Sequence, residues 1–239
     1  KLGDKLVGEA GHDKSGYSVA LSDDGTIVAI GAYDNDATDS NNSQRGHIRV
    51  YDYVAGRNPE WDKVGNDIDG EIGKGTRFGW SVSLSADGLI VAGGSGWNNG
   101  INGTNSGQVR VYDYVQGRNP EWDQLGNTID GEAESDYFGD TISLSADGTI
   151  IAIGAPSNDG NDTTNTYRGQ VRVYQYTNNT WLQMGSDIDG KFEYESSGKN
   201  ISLSADGTIL AIGAHDNDGD PGVNSGHVRV YQYIEDKDW

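Results

Sequence analysis

Leu21-Ser-Asp-Asp-Gly25 returns as Leu84-Ser-Ala-Asp-Gly88, Leu144-Ser-Ala-Asp-Gly148 and Leu203-Ser-Ala-Asp-Gly207. The spacings are 63, 60 and 59 residues. A second block, Gly46-His-Ile-Arg-Val-Tyr51, returns at Gly107, Gly169 and Gly226. A third, Trp61-Asp-Lys-Val-Gly65, returns at Trp122 and Trp181. Four units therefore tile the chain, near 1–61, 62–122, 123–181 and 182–239, and 1–239 reads as a single domain.

Each unit reads as four strands. Tyr17 to Leu21 is short and alternating, and Thr26 to Ile30 is apolar enough to be buried on both faces. Ser22-Asp-Asp-Gly25 between them is a hairpin signal, with glycine supplying a positive φ. His47 to Tyr53 alternates, with Ile48 and Val50 on one face and Arg49, Tyr51 and Tyr53 on the other. Trp61 to Ile68 is the most polar strand. Glycine recurs too often for long helices. A four-stranded meander of this length cannot bury both faces alone. Stacking copies radially does bury them, so the expected fold is an all-β propeller of four-stranded antiparallel blades. Lys1-Leu2-Gly3 matches Lys63-Val64-Gly65, and the last unit ends at Trp239. The N-terminus is thus expected to supply an outer strand that pairs with the C-terminal unit and closes a four-bladed ring. The alternative is an in-phase fragment of a larger propeller.

Composition limits function. Lys+Arg number 17 against 37 Asp+Glu, giving a net charge of −20. Nucleic-acid binders need a basic footprint, so that class is excluded. No apolar run is long enough for a membrane helix. With no Cys there are no disulfides, thiolate metal sites or cysteine nucleophiles. The chain opens on Lys1 without an apolar leader, which reads as a processed or excised product.

Phe138-Gly139 opens the first strand of the third unit, Gly154-Ala155-Pro156 ends its second, and Gly169-Gln-Val-Arg-Val-Tyr174 follows. This pattern resembles the FG-GAP repeat of integrin α-subunit propellers. The second unit keeps Phe78-Gly79 but has Gly93-Gly94-Ser95; the first and fourth have Ser15-Gly16 and Ser197-Gly198. The resemblance implies an extracellular protein serving adhesion, ligand recognition or, as in some fungal lectins, sugar binding. The calcium loop such repeats often carry between their first two strands does not transfer, because only a Ser-x-Asp-Gly hairpin stands there.

Acidic clusters lie one loop later. They read Asp34-Asn-Asp36-Ala-Thr-Asp39, Asn158-Asp159-Gly-Asn-Asp162 and Asp216-Asn-Asp218-Gly-Asp220; the second unit has Asn98-Asn99-Gly-Ile-Asn102. Alternating Asp/Asn with Gly suits a calcium ion, which takes six to eight oxygen ligands, and it equally suits plain turn formation. Calcium is therefore the one cofactor expected. Residues at the strand ends differ among units while the frame does not. They are Tyr17, Trp80, Asp140 and Lys199 before the first strand, and Tyr33, Ser95, Pro156 and His215 after the second. Tyr17, Tyr33, Trp80, Trp97 and His215 are the candidate ligand-binding residues, with Trp97 expected to be the most exposed aromatic. The arginines that recur two positions before a Tyr (Arg49, Arg110, Arg172, Arg229) and the recurrent tryptophans are expected to be structural. No metal-ligand spacing among the four histidines and no nucleophile elbow occurs, so an enzyme is not expected. Sequons at Asn41, Asn102, Asn161 and Asn178 suit glycan attachment, whereas Asn200 lies in an expected inner strand.

The expected function is a secreted or cell-surface, non-catalytic recognition or adhesion module that binds a glycan or an extracellular protein through its loops. The alternative is a structural subunit of an extracellular filament, coat or matrix, with self-assembly through those loops.

Overall fold

The computed structural model describes residues 1–36, 44–72, 75–160, 166–218, 222–235 and 238–239. Among the described residues there are only strands and turns, in four antiparallel sheets. The first contains β1 (Ser18–Leu21), β2 (Ile27–Ala32), β3 (His47–Tyr53), β4 (Trp61–Lys63) and β5 (Ile68–Asp69). The second contains β6 (Ser81–Leu84), β7 (Ile90–Gly94), β8 (Gln108–Tyr114), β9 (Trp122–Gln124) and β10 (Ile129–Asp130). The third contains β11 (Thr141–Leu144), β12 (Ile150–Ala155), β13 (Gln170–Thr177), β14 (Thr180–Gln183) and β15 (Ile188–Asp189). The fourth has three strands, β16 (Asn200–Leu203), β17 (Ile209–Ala214) and β18 (His227–Gln232).

The repeated Leu-Ser-x-Asp-Gly segment closes each first hairpin. In the first sheet Asp24 accepts hydrogen bonds from the Ser22 hydroxyl (2.8 Å) and from the Thr26 N–H (2.9 Å). The Ile27 N–H bonds back to Ser22 Oγ at 2.9 Å, and Gly25 takes φ +72°. The same bonds recur around Asp87, Asp147 and Asp206. The fourth strand expected at Trp61 to Ile68 is two short strands, both paired to β3. Gly65, with φ +68°, breaks it. A Cβ there would overlap the ring of Trp122 from the next sheet, and that ring donates its Nε1–H to Val64 O at 3.0 Å. Trp181 and Trp239 repeat the contact on Leu125 and Met184. The unit boundaries at 61, 122 and 181 therefore fall inside or beside these outer strands.

The sheets pack face to face, with one apolar core in each of the three gaps. Ile48 and Val50 meet Leu84 and Val91; Val109 and Val111 meet Leu144 and Ile151; Val171 and Val173 meet Leu210 and Ile212. The closest strand approaches between sheets run from β1 to β6, β6 to β11 and β11 to β16, so the sheets converge on their first strands. There Ser18 Oγ donates to Gly79 O, Ser81 Oγ to Gly139 O and Thr141 Oγ1 to Gly198 O, each at 2.7 Å. Glycine is required opposite each acceptor: a Cβ on Gly31, Gly94 or Gly154 would overlap that carbonyl oxygen. The arginines fill the next layer outward. Arg110 lies 4.4 Å over the Phe78 ring, and Arg172 pairs with Glu132 and Asp187.

Among the described residues no strand pairing makes the ring closure expected from the termini. Leu2-Gly3 does take the place of Val64-Gly65, with Trp61 Nε1 donating to Leu2 O at 3.3 Å. Residues 1–10 carry no strand, however, and among the described residues β18 pairs only with β17. At the two ends of the stack Val19, Leu21, Val228 and Val230 stay exposed instead of meeting one another.

Two outcomes follow from this packing. Gly154→Ala places a methyl against a backbone carbonyl that cannot yield. It is expected to cost about 1–3 kcal/mol of unfolding free energy in chemical denaturation. Asp206 is held below its ordinary value of 3.8, first by the Ser204 hydroxyl and then by Thr208. A lowered carboxylate contributes stability above its unfolded pKa and loses it as pH falls through the folded one. Asp206→Asn should therefore lower the melting temperature at neutral pH, and the difference from wild type should persist down to about pH 4, shrink below it, and vanish only once the pH is under the lowered folded pKa.

Candidate functional site

At the edge where the first strands begin, each sheet opens on the same turn. Gly16, Gly79, Gly139 and Gly198 adopt φ between +84° and +89°. The next residue closes a tight turn, Tyr17 N–H to Lys14 O, Trp80 to Arg77, Asp140 to Tyr137 and Lys199 to Ser196. Four side chains of different chemistry are thus presented from equivalent positions. The strand register adds Tyr33, Gly96, Pro156 and His215 as the equivalent residues after the second strands, so Gly96 and not Ser95 matches Tyr33.

Four of the five candidate ligand residues come together. Tyr17 lies 4.6 Å from Tyr33 and 4.7 Å from Trp80, centroid to centroid, and Tyr33 lies 4.9 Å from Trp80. Trp80 continues to Trp97 at 5.9 Å, and Trp97 to Tyr137 at 4.9 Å. These tilted and edge-on geometries are the favoured ones for aromatic pairs. The result is a continuous aromatic surface across the first three sheets. Tyr17 is its open rim, 51% exposed. Trp97 is half-buried, a correction to the expected exposure: Arg77 lies 4.6 Å over its ring, and its Nε1 is buried without a hydrogen-bond partner. Beside the aromatics stands a charged pair, Lys199 Nζ to the buried Asp140 at 2.7 Å. Burial raises the Tyr17 hydroxyl pKa, and the neighbouring Tyr33 and Asp140 raise it further, which places Asp140 within electrostatic reach of the rim. His215 is not brought into the cluster; its Nε2 lies 3.3 Å from Asp216.

The acidic loops resolve into two jobs. The asparagine common to all four units is a buried anchor. The Gly46, Gly107, Gly169 and Gly226 N–H groups donate to the carbonyls of Asn35, Asn98, Asn158 and Asn217. Asn158, a candidate calcium ligand, uses its Nδ2 on Asp136 (2.9 Å) and its Oδ1 on the Gly160 N–H (2.7 Å). The residue after the anchor clamps the loop. Asp36 Oδ1 accepts from Gln44 N–H, Asn99 from Asn105, Asp159 from Thr166 and Tyr167, and Asp218 from Asn224. Uncharged Asn99 makes the same bond, so loop closure accounts for Asp36, Asp159 and Asp218 without an ion. Asp34 and Asp36 line one cleft, and Asp216 and Asp218 another. One, of about 230 Å³, lies beside His12 and Gln44; the other, of about 400 Å³, lies among Tyr167, Tyr194, Ser196 and Asn224. Burial raises the Asp34 carboxyl pKa, against the pull of Arg77 and Lys14. Asp39, Asp162 and Asp220 lie outside the described residues, as do Asn41 and Asn161. Asn102 and Asn178 are both exposed, Asn178 in the turn joining β13 and β14. Asn102 Nδ2 donates to Gly131 O at 2.7 Å.

Among the described residues, the one carboxylate–histidine group tight enough for a metal is Glu9, His47 and Asp67, whose Glu9 accepts a hydrogen bond from the anchor Asn35 at 3.5 Å. Arg49 already supplies the positive charge there, pairing with both Glu9 and Asp67. Gln108 and Gln170 take the place of His47 in the next two sheets and donate to Asp130 and Asp189. The group therefore reads as a polar latch of the frame.

Sequence reading missed Arg77 and Tyr137. Both adopt positive φ, +51° and +56°, as do Lys14 and Ser196 at the equivalent positions. Non-glycine residues rarely enter that region, and residue type does not announce it. No family model matches the chain, and no curated protein matches it.

One test separates anchor from ligand. Glu195 is fully buried and held by Asn217 Nδ2 (2.9 Å), Lys191 N–H (2.7 Å) and Arg229 (2.6 Å). Asn217→Ala leaves that carboxylate short of a partner. It should cost about 1–3 kcal/mol in denaturant unfolding, whether or not calcium is present.

Proposed function

We propose that the chain is a non-catalytic recognition module of the β-propeller type, similar to FG-GAP repeat proteins, and that it binds a glycan on the aromatic surface around Trp80. Convergence of the sheets on their first strands supports the propeller reading. The aromatic cluster supports the ligand class. Tyr17, Tyr33, Trp80, Trp97 and Tyr137 are brought into one surface although five sequence segments supply them. Sugar rings offer apolar C–H faces that suit such a platform, with hydroxyls for polar groups at its margin. Asp140 and Lys199 stand at that margin. A secreted or cell-surface setting and an adhesive role go with this reading. So does calcium, as an ion for the acidic clefts at Asp34 and Asp216. The structural alternative, a subunit of an assembled filament or coat, is favoured by a separate observation, the open faces at the two ends of the stack.

A glycan array followed by calorimetry on any hit tests the proposal. Tyr17→Ala removes an exposed rim and Trp80→Ala the centre, and each should weaken a hit by roughly tenfold or more while the melting transition stays cooperative. A blank array with and without millimolar calcium, or a hit indifferent to both variants, would contradict it.

A further inference from the structure

The two ends of the stack carry the two halves of the interface found in its three gaps. On the fourth sheet, Val228 and Val230 are each 67% exposed. Their counterparts Ile48, Val109 and Val171, and Val50, Val111 and Val173, are at most 1% exposed. On the opposite side of the first sheet, Leu21 is 61% exposed, whereas Leu84 and Leu144 are 8% exposed. Both faces therefore keep the apolar side chains of a buried gap in the absence of the sheet that would cover them.

The polar details match as well. Hairpins are linked by N–H to O=C bonds from Asp23 to Ala86, Ala86 to Ala146 and Ala146 to Ala205, and the series stops there. Ser83 Oγ accepts from Leu144 N–H and Ser143 Oγ from Leu203 N–H, which leaves Ser202 in the next acceptor position. Gly213 is the most telling residue. Its counterparts Gly31, Gly94 and Gly154 must lack a side chain because the next sheet's carbonyl lies against them. Gly213 has neither that neighbour nor a positive φ: the atom nearest to its missing Cβ is Asn200 O, 3.5 Å away. Nothing within this stack requires glycine there. A sheet packed on β17, bringing a carbonyl equivalent to Gly79 O, would require it.

We propose that a second copy of this chain packs its first sheet onto the fourth sheet of the first copy, head to tail. Gly16 O of the second copy then meets the gap left open by Gly213, with the Asn200 side chain in the donor position that Ser18, Ser81 and Thr141 hold inside the stack. The contact is heterologous. Two copies joined at both ends close a ring, and copies joined at one end extend a series. This inference does not depend on the glycan reading.

Sedimentation velocity across a hundredfold range of protein concentration tests it. The wild-type chain should run as a dimer or longer series that dissociates on dilution. Gly213→Ala should keep the near-ultraviolet dichroism of the dissociated wild type while associating roughly tenfold or more weakly. Val230→Glu, at a side chain already exposed in the single copy, should do the same. A wild-type chain that stays monomeric at the highest concentration, or Gly213→Ala and Val230→Glu chains that associate as well as wild type, would overturn the proposal.

Discussion

A hydroxyl on one first strand donates to a glycine carbonyl on the next sheet, and the facing strand carries glycine so that the approach is possible. The rest of the structure depends on that contact. It sets how closely the sheets meet at their first strands, while tryptophan and arginine fill the wider space outside. Valine, isoleucine and leucine in the gaps supply the apolar burial that drives stacking. They do not fix its geometry; the Ser/Thr-to-glycine contact does, because a carbonyl oxygen and a missing Cβ leave no room for adjustment.

The same contact explains why the surface residues converge. The glycine that offers its carbonyl also turns the chain into the first strand with φ near +85°, and the residue after it is the presented one. Close approach of the sheets therefore brings Tyr17 and Trp80 within 4.7 Å of each other. The frame is repeated, and what stands on it is not: aromatics on the first two sheets, a carboxylate and an amine on the third and fourth. The excess negative charge divides in the same way. Asp24, Asp87, Asp147 and Asp206 close hairpins, Asp36, Asp159 and Asp218 close loops, and Asp34 and Asp216 join Asp36 and Asp218 at the clefts.

Much of this was legible in the residues because repetition filters them. Leu-Ser-x-Asp-Gly announced the hairpins, and the alternation of Ile48, Arg49, Val50 and Tyr51 announced which face is buried. Tyr17, Tyr33, Trp80 and Trp97 stood out as departures from the repeat at strand ends. The break at Gly65 was hidden because it arises from a tryptophan of the next sheet. Asn158 read as a ligand because an amide anchoring a loop and an amide binding an ion look alike in sequence. Arg77 and Tyr137 were hidden by a left-handed backbone that residue type does not signal. The open ends of the stack were hidden too, since matching terminal segments say nothing about the angle between successive sheets.

Repeated tryptophans build the frame, and the proposed function gives the binding surface to the unrepeated ones. That division can be read in one spectrum. With fluorinated tryptophan, the six indoles give separate fluorine resonances, each assigned by single Trp→Phe substitution. Titration with a glycan hit should shift Trp80 and Trp97 and leave Trp61, Trp122, Trp181 and Trp239 in place. Shifts confined to Trp61, Trp122, Trp181 or Trp239, or a bound glycan that moves neither Trp80 nor Trp97, would contradict the account.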